Sequence, residues 1–493
     1  MTTTGKPGIS DKRRRLRSLA GVGVLLALNG CANFSPDGGM DSVQSVAKVE
    51  LGKDVGRIRS DSDEAEAQAR VRALLRATLG VESAVQIALL NNRGLQASFA
   101  ELAGAEAESV EASLPPSPKF SLARLVVSRE LEIERQILVN VLGLLTLPTR
   151  REIAEGRFAQ AKLRAAEATL RLAAETRRAY YRAVAAAQLV RFLDQSKSSA
   201  EAASELTSKL GETGAVNKLN QAREHAFYAE VVGQLATARL RQTAERERLT
   251  RMLGLWGADV QYRLPPELPN LPRQPRTIRQ IEAEAIEKRT DLSIARMELT
   301  LLAKSLGLTN ATRFVSDLEV AGMWNYERKT EVSDTGEQET ERTKWKGVEV
   351  EFQIPLFDFG QARERRAEEL YMQAVHRLAE RAVNIRSEVR SAYKAYRGAY
   401  DVSLHYRNEV LPLRKTISDE MLLQYNAMIA DPSELLVDAR DRIGSNSAAI
   451  EAKRDFWLAT VDLQTSIIGG GVSGGEAEAQ TASAGPQAEG GGH

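Results

Sequence analysis

The sequence predicts a mainly α-helical protein with a small β part, in which long helical hairpins are combined with four short strands. Two stretches, residues 149–210 and 361–425, are dominated by Ala, Leu, Arg, Glu and Gln. Each would form a helix about 95 Å long at about 1.5 Å per residue. Hydrophobic residues make up 43% of the chain but aromatic residues only 5%, which favours closely packed helices over an aromatic-rich core. Four shorter segments alternate between apolar and polar residues, as strands do.

Composition and motifs exclude several classes of function. Lys and Arg total 67 against 66 Asp and Glu, so the chain lacks the basic excess of a nucleic-acid-binding protein, and no nucleic-acid partner is expected. One cysteine and four scattered histidines supply neither a zinc ligand set nor a disulfide framework. The sequence contains no recognisable nucleophile–base constellation, glycine-rich phosphate loop or pair of catalytic carboxylates. Neither enzyme activity nor a metal or cofactor is therefore expected.

The N-terminus is typical of an export signal peptide, predicted to occupy residues 1–30. Basic residues at 12–17 precede a short apolar run at 18–30. This run is too short to cross the hydrocarbon layer of a membrane, which needs about 20 residues. A cleaved signal is therefore predicted rather than a permanent anchor.

The single cysteine, Cys31, follows the apolar run directly and is a candidate lipidation site. The stretch Leu28-Asn29-Gly30-Cys31 resembles a bacterial lipobox, from which Asn29 departs because a small or aliphatic residue is usual there. The resemblance implies that the thiol receives lipid, with palmitate among the acyl chains, and that Cys31 becomes the first mature residue. Ala32 resembles the pattern of outer-membrane lipoproteins. The alternative is a buried apolar cysteine with no role.

The remaining chain is interpreted as two similar halves. Ala88–Leu95 and Ala285–Leu292 both begin with Ala and end with Leu. Each half has the order helix, two strands, long helix, turn, helix. Chance similarity between Ala-rich helices is the alternative. The predicted divisions are a lipid-anchored linker at 31–75, a first repeat at 76–260, a proline-rich connection at 261–277, a second repeat at 278–468 and a disordered tail at 469–493. The predicted entry helices are 81–113 and 278–310, and the predicted return helices are 217–253 and 432–465.

Strands are predicted where apolar and polar residues take alternate positions. Residues 348–354 alternate strictly, residues 314–327 and 131–141 follow the same pattern, and residues 119–127 do so less cleanly. Residues 328–346 are predicted to form a polar loop. Strands of about ten residues with this alternation are typical of transmembrane β-barrels, whereas a soluble half-buried hairpin has the same period.

Two observations favour the membrane. The export signal directs the chain to the cell envelope, and Trp324 and Tyr326 near one strand end suit an interfacial position. A sheet of four strands has two open edges. In lipid the backbone groups at these edges would have no hydrogen-bond partner, at a cost of several kcal/mol each, so oligomerisation would be required. Three copies would give a 12-stranded barrel, an even number within the range of such barrels.

The order of elements from about residue 75 to 468 resembles that of the TolC-like outer-membrane efflux family, as does Pro355-Leu-Phe-Asp-Phe-Gly360, which leads from a strand into a long helix. The resemblance implies a homotrimer, each protomer adding long helices to an α-barrel. The barrel of strands would lie in outer-membrane lipid, and the helices would form a tunnel through the periplasm. The tunnel would dock to a periplasmic adaptor (membrane fusion) protein and an inner-membrane pump. Gly211 and Gly214 fit the glycine-containing adaptor-contacting turn of the family, whereas the second turn has Ala430 and no glycine.

Two sets of acidic residues are candidate functional residues. If the strands form a barrel, six acids face its lumen and would favour cations; the alternative is that they only keep the lumen wet and the strands in register. These are Glu132, Glu134, Asp317, Glu319, Glu349 and Glu351. Asp431, Glu434 and Asp438 share a helical face after the second turn, and the resemblance implies an acidic ring that narrows the periplasmic aperture. Helix capping by Asp431 and Glu434 is the competing interpretation.

The sequence therefore favours a lipid-anchored channel of the cell outer membrane that extends into the periplasm. It would be a passive duct of a tripartite efflux system, carrying small molecules or metal ions, with the pump supplying the energy. The alternative is a non-conducting periplasmic coiled-coil adaptor or structural lipoprotein. The cargo is not readable from the sequence, because ducts of this shape serve several kinds of pump.

Overall fold

The computed structural model describes residues 34–471 except 129, 278–279, 333–337 and 428, and the side chains of 331, 332, 338 and 432 are not described either. The predicted signal peptide, Cys31 and residues 472–493 of the predicted tail lie outside the described residues. The helices are α1 Met40–Val46, α2 Asp61–Leu75, α3 Val81–Asn91, α4 Arg93–Ser113, α5 Val141–Leu145, α6 Leu147–Glu212, α7 Lys218–Leu253, α8 Ile281–Lys288, α9 Thr290–Ala311, α10 Gln361–His405, α11 Leu411–Asn426 and α12 Pro432–Ile468. The strands are β1 Lys119–Val127, β2 Glu130–Asn140, β3 Asp317–Val332 and β4 Gln338–Gln353.

The four strands form one antiparallel sheet in the order β1-β2-β3-β4. The mainly α fold with a small β part is thus confirmed, and β1 has the predicted bounds. The predicted loop at 328–346 is wrong, because β3 and β4 are 16 residues each and pair from Asp317↔Gln353 to Val332↔Gln338. Backbone pairing continues through residues whose side chains are polar on both faces, and such residues carry no apolar alternation that would reveal a strand.

The chain divides into two compact units. The first contains the described residues of Met1–Gly39, Glu101–Ala161 and Ala295–Arg377. The second contains Met40–Ala100, Lys162–Ile294 and the described residues of Leu378–His493. The sheet belongs to the first unit, and each unit draws residues from both predicted repeats. The repeat boundaries at 76–260 and 278–468 therefore stay predictions about the sequence.

The first long helix is confirmed, and the second is interrupted. Helix α6 is continuous over 66 residues. The predicted helix 361–425 is instead α10, a π-helical turn at Tyr406–Val410, and α11. Pro412 lies at the start of α11. Because proline has no N–H and its ring clashes with the carbonyl four residues earlier, the wider π turn before it is the expected accommodation.

Both predicted entry helices are broken at equivalent positions. Helix α3 ends before Asn92 and α8 before Arg289, and the backbone of each break residue is extended, with ψ of 117° and 121°. The two breaks follow Ala88 and Ala285, the aligned residues of the two halves, by four positions. The structure therefore confirms the same element order in both halves, with a shared break that the sequence analysis did not predict.

Residues at each break bind the end of the return helix of the same half. Asn92 donates from Nδ2 to the Met252 carbonyl (3.0 Å), and Thr290 donates from Oγ1 to the Ile468 carbonyl (2.9 Å). These carbonyls have no partner within their own helix, because the last four C=O groups of a helix lack one. Gly254, with φ of 66°, ends α7; a Cβ there would come within 2.7 Å of the Asn91 carbonyl oxygen. The breaks thus cap the return helices.

The proline-rich connection is held in place by aromatic side chains of the second half. Trp457 donates from Nε1 to the Pro269 carbonyl (3.0 Å), and the Tyr400 hydroxyl donates to the Pro272 and Arg273 carbonyls (3.2 and 3.0 Å). The Tyr400 ring also contacts Phe456, which is almost fully buried in the core of the second unit. Backbone carbonyls of a segment without regular structure therefore have side-chain partners.

The segment 34–75 is more regular than the predicted linker. Helix α1 continues into a π-helical turn at Ala47–Leu51, and α2 begins at a capping box formed by Ser60 and Asp63. Met40, Val43 and Ala47 are buried. The Ser-x-x-Asp spacing was a readable helix signal in the sequence. Within the part of the chain that the structure describes, no helix has both the length and the apolar content to cross a membrane.

Arg289 is the charged centre of the second break. It forms a bidentate pair with Asp291 (3.0 and 2.8 Å) and a further pair with Glu388 (2.6 Å), and its side chain is 8% exposed. Burial alone would lower the pKa of Arg289. The hydrogen bonds and negative charges of the Asp291 and Glu388 carboxylates outweigh this effect and raise the pKa above its ordinary value. The paired charges are therefore stable in a largely dry site.

Replacing Arg289 should strongly destabilise the second unit. The substitution Arg289→Met leaves two partly buried carboxylates without a partner, so we expect a loss of about 3 kcal/mol in the free energy of unfolding. Arg365→Met is the control, because its pair with Glu369 is exposed and contributes about 0.5 kcal/mol or less. Thermal unfolding followed by circular dichroism measures both, and equal shifts in Tm would contradict this account.

Candidate functional site

The register of the sheet creates one largely apolar face. Directly opposed residues of antiparallel strands place their side chains on the same face. Ile137 lies opposite Gly322, Val139 opposite Val320, and Val320 opposite Val350. Phe120 and Leu122 of β1 and Val348 of β4 belong to the same face and are about three-quarters exposed. A face this apolar and this exposed requires a covering partner.

The six predicted lumen acids all lie on the opposite face. Glu319 is opposite Glu351, Glu349 is opposite Ala321, and Asp317 is opposite Gln353. Glu134 is opposite Ala123, and Glu132, two residues away, shares its face. The register thus groups residues from three strands into one acidic surface. That this surface lines a lumen stays a prediction.

Four further acids lie on the acidic face. They are Glu130, Glu327, Glu339 and Glu341. The predicted loop at 328–346 hid the last two, because that segment carries no apolar alternation. The basic residues at every second position, Arg342, Lys344 and Lys346, were the signal that could have found the strand. Among the described side chains, only Lys119 and Lys329 bring positive charge to this face.

Polar contacts within the acidic face hold some of its side chains. Lys119 lies 3.2 Å from Glu319. Gln136 donates to Glu349 (3.3 Å) and Asn140 donates to Asp317 (2.8 Å). The first two contacts reach across an intervening strand and the third links β2 to β3, so they support the alternative role in register. They neutralise little charge, because two of the three donors are amides.

The first interhelical turn is built around two glycines. Gly214 has φ of 77°, a left-handed conformation that other residues adopt only with strain. A Cβ on Gly211 would lie 2.1 Å from Nε2 of Gln221, the atom that donates to the Val216 carbonyl. Asn217 then caps α7 by accepting from the Asn220 amide (2.9 Å). The turn is therefore compact, and its adaptor contact stays a prediction.

The second turn places Ala430 and Ile429 differently. Ala430 is buried, and its amide and that of Ile429 both donate to the Gln424 carbonyl (3.3 and 2.9 Å). Ile429 is 76% exposed. Among the described side chains of the second turn, the large apolar one that is exposed is therefore Ile429, which was not among the predicted contact residues.

The three predicted aperture acids have three different environments. Asp431 caps α12 by accepting from the Ser433 amide (2.8 Å), as the capping interpretation predicted. Glu434 is exposed. Asp438 is 7% exposed, and its Oδ1 atom has no hydrogen-bond partner among the described residues. The capping interpretation does not extend to the Glu434 side chain, whose role in the aperture stays a prediction.

The charge of Asp431 is stabilised by its capping role. The Ser433 backbone amide lowers the pKa of Asp431, with smaller contributions from the Ser433 side chain and the Arg223 guanidinium. The ionised carboxylate therefore adds stability at pH values above the ordinary pKa of aspartate, and this stability is lost as the pH falls through the lowered pKa.

Removing the cap should loosen the start of α12 in a pH-dependent way. In Asp431→Ala we expect faster amide hydrogen exchange at Ser433 and Glu434 at neutral pH, with the difference from the unmodified chain shrinking in acid. Asp431→Asn is the matched control, because asparagine retains a capping oxygen. Exchange measured by mass spectrometry checks this, and a difference that persists below the lowered pKa would show that the carboxylate charge is not responsible.

Comparison with known proteins identifies the fold. Neither protein-family models nor curated protein sequences match the chain. Among solved structures, the chain is similar to the CmeC outer membrane channel of Campylobacter jejuni, with a TM-score of 0.66 and 16% identity over 79% of this chain and 86% of that chain. It is similar to the outer membrane protein VceC of Vibrio cholerae, with a TM-score of 0.65 and 15% identity over 79% and 96%. It is also similar to the open state of the MtrE outer membrane channel of Neisseria gonorrhoeae, with a TM-score of 0.62 and 14% identity over 79% and 89%.

These similarities define the fold class of the chain. It has the TolC-like fold of the outer-membrane efflux channels, and the resemblance predicted from the sequence is confirmed at the level of fold. At 14–17% identity the similarity concerns the fold alone.

Proposed function

We propose that the protein is an outer-membrane channel of a tripartite efflux system. The observation that carries this proposal is the two-faced sheet, with an exposed apolar face and, among the described side chains, ten acids on the other face. Apolar-out and polar-in alternation is the pattern of transmembrane barrels with a polar interior. The fold shared with outer-membrane channels of known structure supports it.

The sheet alone does not close, so the proposed channel is a homotrimer. Strands β1 and β4 are the two edges of the sheet. In lipid an edge leaves N–H and C=O groups without partners, and pairing β4 of one protomer with β1 of the next satisfies both. Three copies of four strands give the proposed 12-stranded barrel. The long helices would then form the periplasmic tunnel, which would dock to an adaptor and an inner-membrane pump.

The remaining elements of the proposal come from the sequence. A signal peptide over residues 1–30 would export the chain, and acylation of Cys31 would anchor it to the outer membrane. The pump would supply the energy, because a passive duct needs no chemistry of its own. Small molecules or metal ions are the proposed cargo, and the acidic lumen favours those with positive charge.

Conductance of the purified trimer tests the proposal. In planar bilayers we expect a trimeric, cation-preferring pore. Substituting Gln for Glu319, Glu349 and Glu351 should lower the cation-to-anion permeability ratio about two-fold or more, because the field in a narrow pore follows its fixed charge. Reversal potentials in a salt gradient measure this ratio. A soluble, non-conducting monomer would instead support the periplasmic adaptor or structural lipoprotein.

Adjacent residues of β4 separate the lipid face from the lumen. Val350→Lys places a charge in the apolar band and should cost about 2–4 kcal/mol if this side chain faces the hydrocarbon. Glu349→Lys is the control, since it puts the same residue on the acidic face. We expect the first variant to reduce trimer recovered from outer membranes and the second to be recovered normally. Equal recovery of both would show that the apolar face does not contact lipid.

A further inference from the structure

The apolar face of the sheet also carries charge, and all of it is positive. The pairing register places six basic residues there and, among the described side chains of the four strands, no acid. They are Arg124, Arg135, Arg328, Arg342, Lys344 and Lys346, here called the basic band. Among the described side chains, the acids of the sheet thus lie on one face and six of its eight basic residues on the other.

The basic band runs across all four strands. Arg124 of β1 lies opposite Ile133, Ile133 opposite Tyr326, and Tyr326 opposite Lys344 of β4. On the next row of the same face, Leu131 lies opposite Arg328 and Arg328 opposite Arg342. The neighbouring row on the other side holds Arg135, opposite Leu122, and Lys346, opposite Trp324. Each of the three rows therefore contributes two cations.

The basic band occupies one end of the strands. β3 begins at Asp317 and β4 ends at Gln353, on the helix-connected side, where the apolar face consists of Leu318, Val320 and Phe352. Four of the basic residues lie on the two rows that hold Trp324 and Tyr326, and the other two, Arg328 and Arg342, lie one row farther toward the opposite end. Going along the strands, an apolar zone is thus followed by rows that combine aromatic and basic side chains, and then by a row with two arginines. This order is the one found across a membrane–water interface.

Charge on the basic band is not neutralised within the protomer. All six side chains are exposed. None of them forms an ion pair with any residue that the structure describes, and the acids of the sheet point to the other face. Arg328 and Arg342 are directly opposed, and like charges in that position repel. An external anion that binds here relieves this repulsion.

We propose that the basic band binds the phosphate groups of anionic lipids in the outer leaflet of the outer membrane, with the acyl chains against the adjoining apolar zone. The proposal rests on the proposed function, because it takes the apolar face to be in lipid. Charge complementarity selects a phosphate-bearing partner, since Arg pairs with phosphate through two hydrogen bonds. The adjoining apolar zone favours a lipid, because its exposed side chains match acyl chains, and Trp324 and Tyr326 are of the types enriched at membrane–water interfaces.

The band adds specificity to the apolar face. Hydrophobic contact alone accepts any acyl chain, whereas six cations favour lipids with one or more phosphate monoesters. Each Lys or Arg near an anionic membrane surface contributes to attraction, and the effect is screened by salt. Bound anionic lipid would bridge neighbouring strands and stabilise the trimer at this end of the sheet.

Lipid binding by the full-length trimer tests this proposal. The probe is lipid A, a diphosphorylated glycolipid, with phosphatidylcholine as the zwitterionic comparison. We expect native mass spectrometry of the trimer in a neutral detergent to show retained lipid A. The triple variant Arg342→Gln, Lys344→Gln, Lys346→Gln should weaken binding about ten-fold or more, and raised salt should weaken it in the unmodified chain.

The control is Lys119→Gln, Lys329→Gln, which removes the two cations of the acidic face. This variant should bind lipid A as tightly as the unmodified trimer. Equal binding by the triple variant, or equal loss in the control, would overturn the proposal, as would a preference for phosphatidylcholine. Conductance in pure phosphatidylcholine bilayers separates the two proposals. A trimer that conducts there but retains no lipid A overturns the basic band alone, whereas a protein that does neither overturns the channel as well.

Discussion

Unpaired backbone hydrogen-bonding groups explain more of this architecture than any single side-chain contact. A four-stranded sheet with β1 and β4 at its edges has two rows of such groups, and in the proposed channel lipid would offer them no water. The same demand appears at the helix ends. The carbonyls that close α7 and α12 receive donors from Asn92 and Thr290, at the breaks in the entry helices. In both halves of the chain, a side chain at the break in the entry helix supplies the hydrogen-bond donor.

The duplicated break explains why the entry helices are not continuous. A continuous helix would place Asn92 and Arg289 in helical backbone, and their side chains would have to reach the return helices from a different direction. The extended residue at each break turns the chain and brings two successive side chains to the terminal carbonyls. In the second half, Arg289 donates to the Ser466 carbonyl near the end of α12 and also pairs with Asp291 and Glu388. One side chain therefore both caps a helix and forms a charge cluster.

Sequence patterns predicted the elements with strong periodicity and missed those that depend on backbone geometry. β2, α6 and the start of α12 follow directly from alternation, helix-forming composition and an Asp-Pro cap. The breaks at Asn92 and Arg289 and the π turn before Pro412 are each much shorter than the window of about 11 to 18 residues over which a helical period is assessed, so periodicity does not reveal them. The strand extension to Val332 was missed because alternation is invisible where both faces are polar. The six candidate acids were grouped correctly on one face, since side-chain period 2 requires only the strand and not its partner. The exposed Ile429 and the buried Ala430 depend on how the turn packs, which no local pattern specifies.

The alternation of side chains along each strand gives the two faces of the sheet different charges. Along β4, Lys344 and Lys346 share the face of Val348 and Val350, while Glu349 and Glu351 take the alternate positions. A one-residue slip of register would exchange the faces, placing acids in the apolar zone and valines on the acidic surface. In the proposed channel such a slip would bury unpaired carboxylates at a cost of several kcal/mol, so the charges that suit the two faces would also fix the pairing of the strands. Polar residues of the sheet therefore act on fold specificity and on the chemistry of each surface at once.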